Sequence, residues 1–124
     1  NDFEKQKSGI IAGISSVAGD RGRGSNYIYG SSKSAFNEYL SGLRNRLSNK
    51  NVHILTIKPG YIKSKMTEHL TLSKLLTSTP DEVSKTILDS IKKKKDIVYI
   101  KWFWRWIMLI IKMIPESIFK RINI

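Results

Sequence analysis

The order of strand, helix and strand in the first half of the chain constrains the fold most strongly. Ile10–Ile14 is a short apolar run closed by two serines, which predicts a strand buried in a parallel sheet. Apolar residues then recur every three or four positions across Tyr27–Leu47, the spacing of a helix. Residues 52–57 are rich in β-branched side chains and stop at Pro59-Gly60, which predicts a second strand. Elements in this order form a right-handed βαβ unit, so we expect an α/β fold with a parallel sheet.

A further helix and a third strand are predicted later in the chain. Thr79 is a typical helix N-cap residue, Pro80 suits the first helical position, and Glu82 completes a capping box. The apolar face of this helix is expected to consist of Val83, Ile87, Leu88 and Ile91. Residues 96–100 are rich in β-branched and aromatic side chains and predict the third strand.

Two stretches have no regular period. Residues 19–26 are rich in glycine and predict a loop after the first strand. Residues 61–78 mix polar and apolar side chains, which predicts a mobile connection or short helices over a site. His53 and His69 have no second ligand at a metal-binding spacing, so no metal site is expected.

A serine, a tyrosine and a lysine are the residues best suited to catalysis. Tyr29 and Lys33 are four positions apart, and on a helix this spacing puts both side chains on one face. A tyrosine hydroxyl ordinarily has a pKa of about 10, so a neighbouring ammonium is needed to make it useful in proton transfer at neutral pH. Such a pair is suited to protonating a carbonyl oxygen as hydride arrives at its carbon. Ser16 follows the first strand, where ligands of open α/β sheets bind, and its hydroxyl is suited to hydrogen-bonding the same oxygen.

Three motifs in this order resemble the short-chain dehydrogenase/reductase family: Ile14-Ser15-Ser16-Val17-Ala18-Gly19, Tyr29-x-x-x-Lys33 and Pro59-Gly60-Tyr61-Ile62-Lys63-Ser64. The resemblance covers most of residues 9–100. It implies a Rossmann-type doubly wound parallel sheet, reduction of a carbonyl to an alcohol, and NAD(P)H as the cofactor. It also implies that Ser16, Tyr29 and Lys33 are catalytic.

The same resemblance implies which residues contact the nicotinamide cofactor: Tyr29, Lys33, Pro59, Gly60, Ile62 and Ser64. Lys33 is expected to bond the nicotinamide ribose, while the Pro-Gly segment and Ser64 approach the nicotinamide amide. Most family members have threonine where this chain has Ser64, a change that keeps the hydroxyl.

Two family motifs are missing from the 124 residues. The phosphate-binding glycine fingerprint and the catalytic asparagine both precede the serine in the family, and Gly22-Arg23-Gly24 lacks the third glycine of that fingerprint. The chain therefore looks like the carboxyl-terminal half of such an enzyme. We expect these residues alone neither to bind the cofactor tightly nor to turn over. The choice between NADH and NADPH would depend on the other half.

A narrower resemblance rests on residues 13–27 and on the tail motif Trp102-Phe103-Trp104-Arg105. Both are similar to the subgroup containing decaprenylphosphoryl-β-D-erythro-pentofuranosid-2-ulose 2-reductase, which reduces a 2-keto sugar on a polyprenyl phosphate. This implies a role in making a cell-wall or polysaccharide precursor. Arg21 and Arg23 are then candidates to contact a substrate phosphate, although solvated loop arginines are an equally good interpretation. A reductase of another carbonyl and a non-catalytic membrane-associated remnant are the alternatives.

The tail has a pattern of its own, and we expect two units, residues 1–100 and 101–124. As a helix, residues 102–114 would be about 20 Å long against roughly 30 Å of bilayer hydrocarbon, so the segment is too short to cross. One face is expected to be basic, with Lys101, Arg105 and Lys112. The opposite face is expected to be apolar, with Phe103, Ile107, Ile110 and Ile114. This pattern predicts a cytoplasmic protein held peripherally at the membrane interface; the alternative is a helix packed on the protein's own core or on another subunit.

The composition of the chain limits the classes of ligand and surface that it is expected to bind. The chain has no cysteine, which excludes disulfides, thiolate metal sites and a cysteine nucleophile. Its 22 Lys and Arg outnumber its 10 Asp and Glu, and the formal charge of +12 favours an anionic partner. A nucleic-acid surface would need aromatic platforms beside that charge, but all three tryptophans lie in the apolar tail. A membrane surface and a phosphate-bearing substrate are therefore expected rather than nucleic acid, and the oligomeric state is left open.

Overall fold

Three parallel strands form the centre of the computed structural model, which describes residues 1–65 and 74–124. Along the chain the elements are α1 (Asp2–Gln6), β1 (Ile10–Ile14), α2 (Tyr27–Leu47), β2 (His53–Pro59), β3 (Tyr61–Ile62), β4 (Thr77–Ser78), α3 (Pro80–Lys92), β5 (Ile97–Ile100), α4 (Phe103–Met113) and α5 (Glu116–Phe119). One-turn 3-10 helices lie at Val17–Gly19 and Ser48–Lys50. The sheet order is β1-β2-β5, so β2 is central and both of its neighbours run parallel to it.

Helices cover both faces of this sheet. On one face, Leu40 and Leu47 of α2 pack against Ile54 of β2. On the other face, Val83 of α3 packs in a cluster that includes Leu55 of β2. Ile54 and Leu55 are consecutive and point to opposite faces, yet they are only 1% and 0% exposed. Burial on both faces is typical of parallel sheets and confirms the predicted α/β, Rossmann-type arrangement.

Two of the three predicted strands, β2 and β5, differ from the prediction by one or two residues at their ends. β1 and α2 have the predicted bounds. β2 is His53–Pro59 rather than 52–57, because its pairing with β5 continues until Pro59 lies opposite Ile100. Val52 lies outside the strand and is buried with the α2 residues.

Helix α3 begins as its sequence predicts. The Thr79 hydroxyl oxygen accepts from the N–H of Glu82 at 3.3 Å, and the Glu82 carboxylate accepts from the N–H of Thr79 at 3.1 Å, so the capping box is complete. Val83 is buried, but Leu88 is 60% exposed. The expectation that Leu88 belongs to the buried face is wrong, because a residue five positions after Val83 lies roughly 140° around the helix.

The connection between β2 and α3 begins and ends in short strands. β3 and β4 pair in parallel, with Tyr61 opposite Thr77. The sequence predicts a mobile connection or short helices here and misses both strands, because a two-residue strand has no periodicity to detect. The middle of the connection, residues 66–73, lies outside the described residues, and His69 lies there too.

The tail helix α4 packs back onto the protein's own core. Trp104 and Met108, one turn apart, are 8% and 4% exposed and cluster with Val17, which follows β1. This side of α4 therefore matches the alternative in which the helix packs on the protein itself. The expected division of the chain into residues 1–100 and 101–124 stays a prediction.

The other side of α4 leaves large apolar side chains exposed. Of the apolar face expected to lie on a membrane, Phe103 and Ile107 pack instead against the core cluster of Trp104 and Met108. Ile110 of the same expected face is 64% exposed. Six residues separate it from Trp104, which puts the two side chains roughly 120° apart around the helix. The exposed apolar residues on or beside α4 are Trp102, Trp106, Leu109, Ile110 and Met113. Within residues 1–65 and 74–124, no helix has both the length and the hydropathy to cross a bilayer.

Candidate active site

Ser16 lies just beyond the carboxyl end of β1. The N–H of Ser15 donates to the carbonyl of Ile57 at 2.7 Å, so the chain stays in the sheet for one residue after the strand. Ser16 then caps the Val17–Gly19 turn, because its hydroxyl oxygen accepts from the N–H of Ala18 at 3.0 Å. Ser16 is only 7% exposed. This bond fixes the position of the Ser16 oxygen, and a hydroxyl that accepts in this way can still donate its own proton.

Tyr29 and Lys33 lie on the first two turns of α2. The Lys33 ammonium is 5.7 Å from the centroid of the Tyr29 ring and donates to the carbonyl of Ile14, the last residue of β1, at 3.4 Å. The Ser15 hydroxyl donates to the carbonyl of Lys33 at 3.4 Å. These two hydrogen bonds join the end of β1 to the beginning of α2. Tyr29 is 40% exposed, so a ligand at this edge has access to it.

Two glycines allow the turn after Ser16 to lie directly against α2. A Cβ on Gly30 would be 2.9 Å from the carbonyl oxygen of Ala18, and a Cβ on Gly19 would be 2.8 Å from the α2 backbone. Both distances are too short for any residue but glycine unless the backbone shifts. The structure therefore brings together the segments that carry the three predicted catalytic residues.

The segment predicted to contact the cofactor follows β2, the strand next to β1. Pro59 ends β2 and is buried, and Gly60 lies against the indole of Trp104, which a Cβ would overlap. Ile62 is partly buried against the core beneath α3, and Ser64 is exposed. Because β1 and β2 are parallel neighbours, the segments that follow them lie at the same edge of the sheet. The residues predicted for catalysis and those predicted for cofactor contact are therefore on one edge.

Comparison with known proteins decides the family. A family model described as short chain dehydrogenase matches residues 1–74, more than half of the chain. The chain belongs to the short-chain dehydrogenase family. The matched residues include the serine, the tyrosine, the lysine and the Pro-Gly segment, whereas α3, β5 and the tail follow them.

Among the similar proteins are two that are described as oxidoreductases. An uncharacterized oxidoreductase of Mycobacterium tuberculosis (strain ATCC 25618 / H37Rv) is 33% identical over 113 residues, which are 91% of this chain and 45% of the relative. An uncharacterized oxidoreductase of Streptomyces coelicolor is 28% identical over 120 residues, which are 97% of this chain and 47% of the relative. The chain thus spans about half the length of the curated relatives it matches.

Solved structures share the short-chain dehydrogenase fold. A short chain dehydrogenase from Burkholderia cenocepacia J2315 in complex with NADP superposes with a TM-score of 0.80 at 18% identity, over 96% of this chain and 48% of that one. A short-chain dehydrogenase from Sphingobium yanoikuyae in complex with NADPH gives a TM-score of 0.72 at 19% identity, over 94% and 50%. At these identities the likeness shows the fold alone.

A buried ionic cluster lies beside the sheet edge that carries the candidate residues, and nothing local in the sequence predicts it. One Asp20 carboxylate oxygen is 2.7 Å from the Lys58 ammonium, and the other accepts from the Tyr99 hydroxyl at 2.6 Å. The Asp20 and Lys58 side chains are 2% and 12% exposed, so their charges are paired away from water. Burial and then the bond to Asp20 raise the pKa of the Tyr99 hydroxyl, against a smaller lowering by Arg105, so Tyr99 stays a proton donor at neutral pH.

Arg21 is bound by the tail. Its guanidinium donates to the carbonyls of Ile111 and Ile114 at 2.6 Å each, and to the Glu116 carboxylate at 2.9 Å. It also lies 3.6 Å from the centroid of the Phe119 ring. Because the side chain is only 14% exposed, both sequence interpretations of Arg21, as a phosphate contact or as a solvated arginine, are wrong. Its partners lie some 90 residues away, beyond the reach of any sequence pattern.

Proposed function

We propose that the protein containing this chain is a nicotinamide-dependent oxidoreductase that reduces a carbonyl group to an alcohol. The observation that carries the proposal is the pair of hydrogen bonds joining the end of β1 to Lys33 of α2. Through them a buried serine and a tyrosine-lysine pair share the carboxyl edge of a parallel sheet, where open α/β sheets bind ligands. Membership of the short-chain dehydrogenase family supports the same activity.

Three side chains take part in the proton transfer: one donates the proton, and two stabilise the charges that develop. The Tyr29 hydroxyl donates its proton to the substrate's carbonyl oxygen as the carbonyl carbon is reduced. The Lys33 ammonium, on the same helical face, stabilises the phenolate that Tyr29 becomes. Ser16 donates a hydrogen bond to the same carbonyl oxygen and so stabilises the negative charge that develops there.

The residues at this edge fit a nicotinamide cofactor, which supplies the hydride when bound. Lys33 is a cationic donor held at the end of β1, suited to ribose hydroxyls. The segment after β2 offers backbone groups and Ser64, an exposed residue that carries a hydroxyl. We assign cofactor contact to Tyr29, Lys33, Pro59, Gly60, Ile62 and Ser64. Similar folds have been solved with NADP or NADPH, so NADPH is the first cofactor to test.

The decisive experiment replaces Tyr29 by phenylalanine in the full-length protein. The change removes one hydroxyl, and we expect kcat for NADPH-dependent ketone reduction to fall by about 100-fold or more. Tyr39→Phe is the matched control, because Tyr39 is on the same helix and is 64% exposed. A Tyr29→Phe protein with the kcat of the unmodified protein would show that the proton comes from another group.

Within this activity, we assign the substrate to a 2-keto sugar carried on a polyprenyl phosphate and reduced at the membrane surface. The support is the outer side of α4, where Trp106, Ile110 and Met113 are exposed beside the exposed basic residues Arg105 and Lys112. Aromatic and aliphatic side chains with basic neighbours suit the interface of an anionic membrane, to which a polyprenyl chain would anchor the sugar.

A comparison of substrates tests this assignment. The full-length protein is given a polyprenyl-phosphate 2-keto sugar, a steroid ketone and a 3-ketoacyl thioester, each with NADPH and with NADH. We expect the highest kcat/KM for the lipid-linked sugar. Good activity on the steroid or acyl ketone alone would make the protein a reductase of another carbonyl. Cofactor binding without reduction of any ketone would favour the non-catalytic alternative.

A further inference from the structure

Asp20 and Arg21 are consecutive residues whose side chains bind different parts of the molecule. Asp20 binds the sheet through Lys58 of β2 and Tyr99 of β5. Arg21 binds the tail through the carbonyls at the end of α4 and through the α5 residues Glu116 and Phe119. One short segment therefore connects the sheet to the tail.

This segment is joined to Ser16 by a single turn. The N–H of Gly19 donates to the carbonyl of Ser16 at 3.2 Å, and the N–H of Asp20 donates to the carbonyl of Val17 at 3.0 Å. With these bonds in place, residues 16–20 contain no unconstrained stretch of chain. A displacement of Asp20 or Arg21 would therefore disturb the turn that begins at Ser16.

The contacts of Arg21 require its guanidinium. The last carbonyls of a helix have no i+4 partner within the helix. At the end of α4, Arg21 donates to the Ile114 carbonyl and to the Ile111 carbonyl, which also accepts from the N–H of Ile114 at 3.3 Å. Its planar group also lies over the Phe119 ring. Lysine has the same charge but concentrates it in one ammonium, so it cannot reproduce this combination of donors and ring contact.

We propose that Asp20 and Arg21 are positioning residues for the reduction, which hold the turn carrying Ser16 between the sheet and the α4–α5 tail. The tail is then required for an ordered active site, in addition to any contact it makes with a membrane. The inference rests on the proposed function, because it gives the tail a task in that reaction. Asp20 and Arg21 act through Ser16 and touch neither substrate nor cofactor.

The test compares Arg21→Lys with Arg46→Lys in the full-length protein. Arg46 is the matched control, because its side chain is 69% exposed and its guanidinium pairs with Glu4 of α1. Four quantities are measured: kcat, KM for the ketone, the Kd for NADPH, and amide hydrogen exchange across residues 15–21. We expect Arg21→Lys to lower kcat by about 10- to 100-fold, with a Kd for NADPH within about twofold and faster exchange in this segment. Arg46→Lys should change none of the four.

A second variant keeps the test decisive if Arg21→Lys does not fold. Tyr99→Phe removes one hydroxyl from the Asp20 cluster and leaves the Lys58 pair in place. We expect a smaller fall in kcat than for Arg21→Lys, and the same faster amide exchange across residues 15–21. Unchanged exchange in the folded variants would overturn the proposal, and so would faster exchange with unchanged kcat. If the unmodified protein reduces no ketone, the proposed function fails, and exchange alone decides whether Asp20 and Arg21 order the Ser16 turn.

Discussion

The Lys58 ammonium lies 2.7 Å from the Asp20 carboxylate in a pair whose side chains are 12% and 2% exposed. The pair joins β2, just before Pro59, to the segment that follows Ser16. The Lys93 and Asp89 pair on α3 has a similar separation of 3.2 Å, but its side chains are 63% and 51% exposed. Only the first pair is shielded from water, so the two should differ strongly in their effect on stability.

Lys58→Met should destabilise the protein much more than Lys93→Met. Removing Lys58 leaves the buried Asp20 carboxylate without its ammonium partner, and we expect a loss of about 3–5 kcal/mol in the free energy of unfolding. Removing Lys93 breaks an exposed pair and should change it by less than about 0.5 kcal/mol. Urea unfolding of both variants measures the difference, and equal losses would contradict the buried character of the pair.

Tyr99 should make the protein less stable at high pH. Its pKa is raised in the folded protein from the ordinary 10.0, so above this pH the unfolded chain releases a proton that the folded protein retains. The stability that Tyr99 contributes is therefore fully present below pH 10 and is lost as pH rises toward the folded pKa.

Tyr99→Phe should remove part of this decline. Urea unfolding between about pH 8 and pH 11 gives the free energy of unfolding at each pH. This free energy should fall less steeply with rising pH in the variant than in the unmodified protein. Tyr27→Phe is the control, because Tyr27 is 62% exposed, and it should leave the slope as it is. A Tyr99→Phe slope that matches the control would count against a raised pKa.

Alanine at two glycines should have opposite effects on stability. A Cβ at Gly60 would overlap the Trp104 indole, and we expect Gly60→Ala to cost about 1–3 kcal/mol. Gly42 lies inside α2 with nothing within 4 Å of an added Cβ, so Gly42→Ala should stabilise the protein by up to about 1 kcal/mol. Thermal unfolding measures the change in stability for both variants. Adding Trp104→Phe to Gly60→Ala should recover part of the lost stability.

Ser16→Ala should impair the chemical step more than binding. It removes the hydroxyl that we assign to the carbonyl oxygen, so kcat for ketone reduction should fall by about 100-fold with a Kd for NADPH that is nearly unchanged. Ser16→Thr keeps a hydroxyl and should recover part of the rate. Ser25→Ala, in the exposed loop, is the control. Equal kcat in Ser16→Ala and Ser25→Ala would remove Ser16 from the mechanism.

The exposed side of α4 should bind anionic membranes. Trp102 and Trp106 are 74% and 56% exposed, so replacing both by serine should reduce co-sedimentation with phosphatidylglycerol vesicles by about tenfold. Tyr39→Ser, which removes an exposed aromatic residue from α2, should not reduce it. If the unmodified protein does not sediment with these vesicles, the outer side of α4 does not bind a membrane.

The sequence by itself determined what depends on spacing within one element. The βαβ order, the capping box at Thr79 and the shared helical face of Tyr29 and Lys33 all follow from residues a few positions apart. The position of Ser16 just after a strand follows in the same way, because the apolar run before it stops at Ile14. Local periodicity and capping chemistry are strong enough to specify these features before the chain folds.

Only the tertiary structure decided which distant residues meet. Asp20 contacts Lys58 and Tyr99 across 38 and 79 positions, and Arg21 reaches the end of α4 across 90. The buried side of α4 was also beyond prediction, because α4 carries large apolar residues on both its buried and its exposed side, and its orientation depends on the surface that receives Trp104. Such contacts depend on how whole elements pack against one another, and packing leaves no periodic signal in the chain.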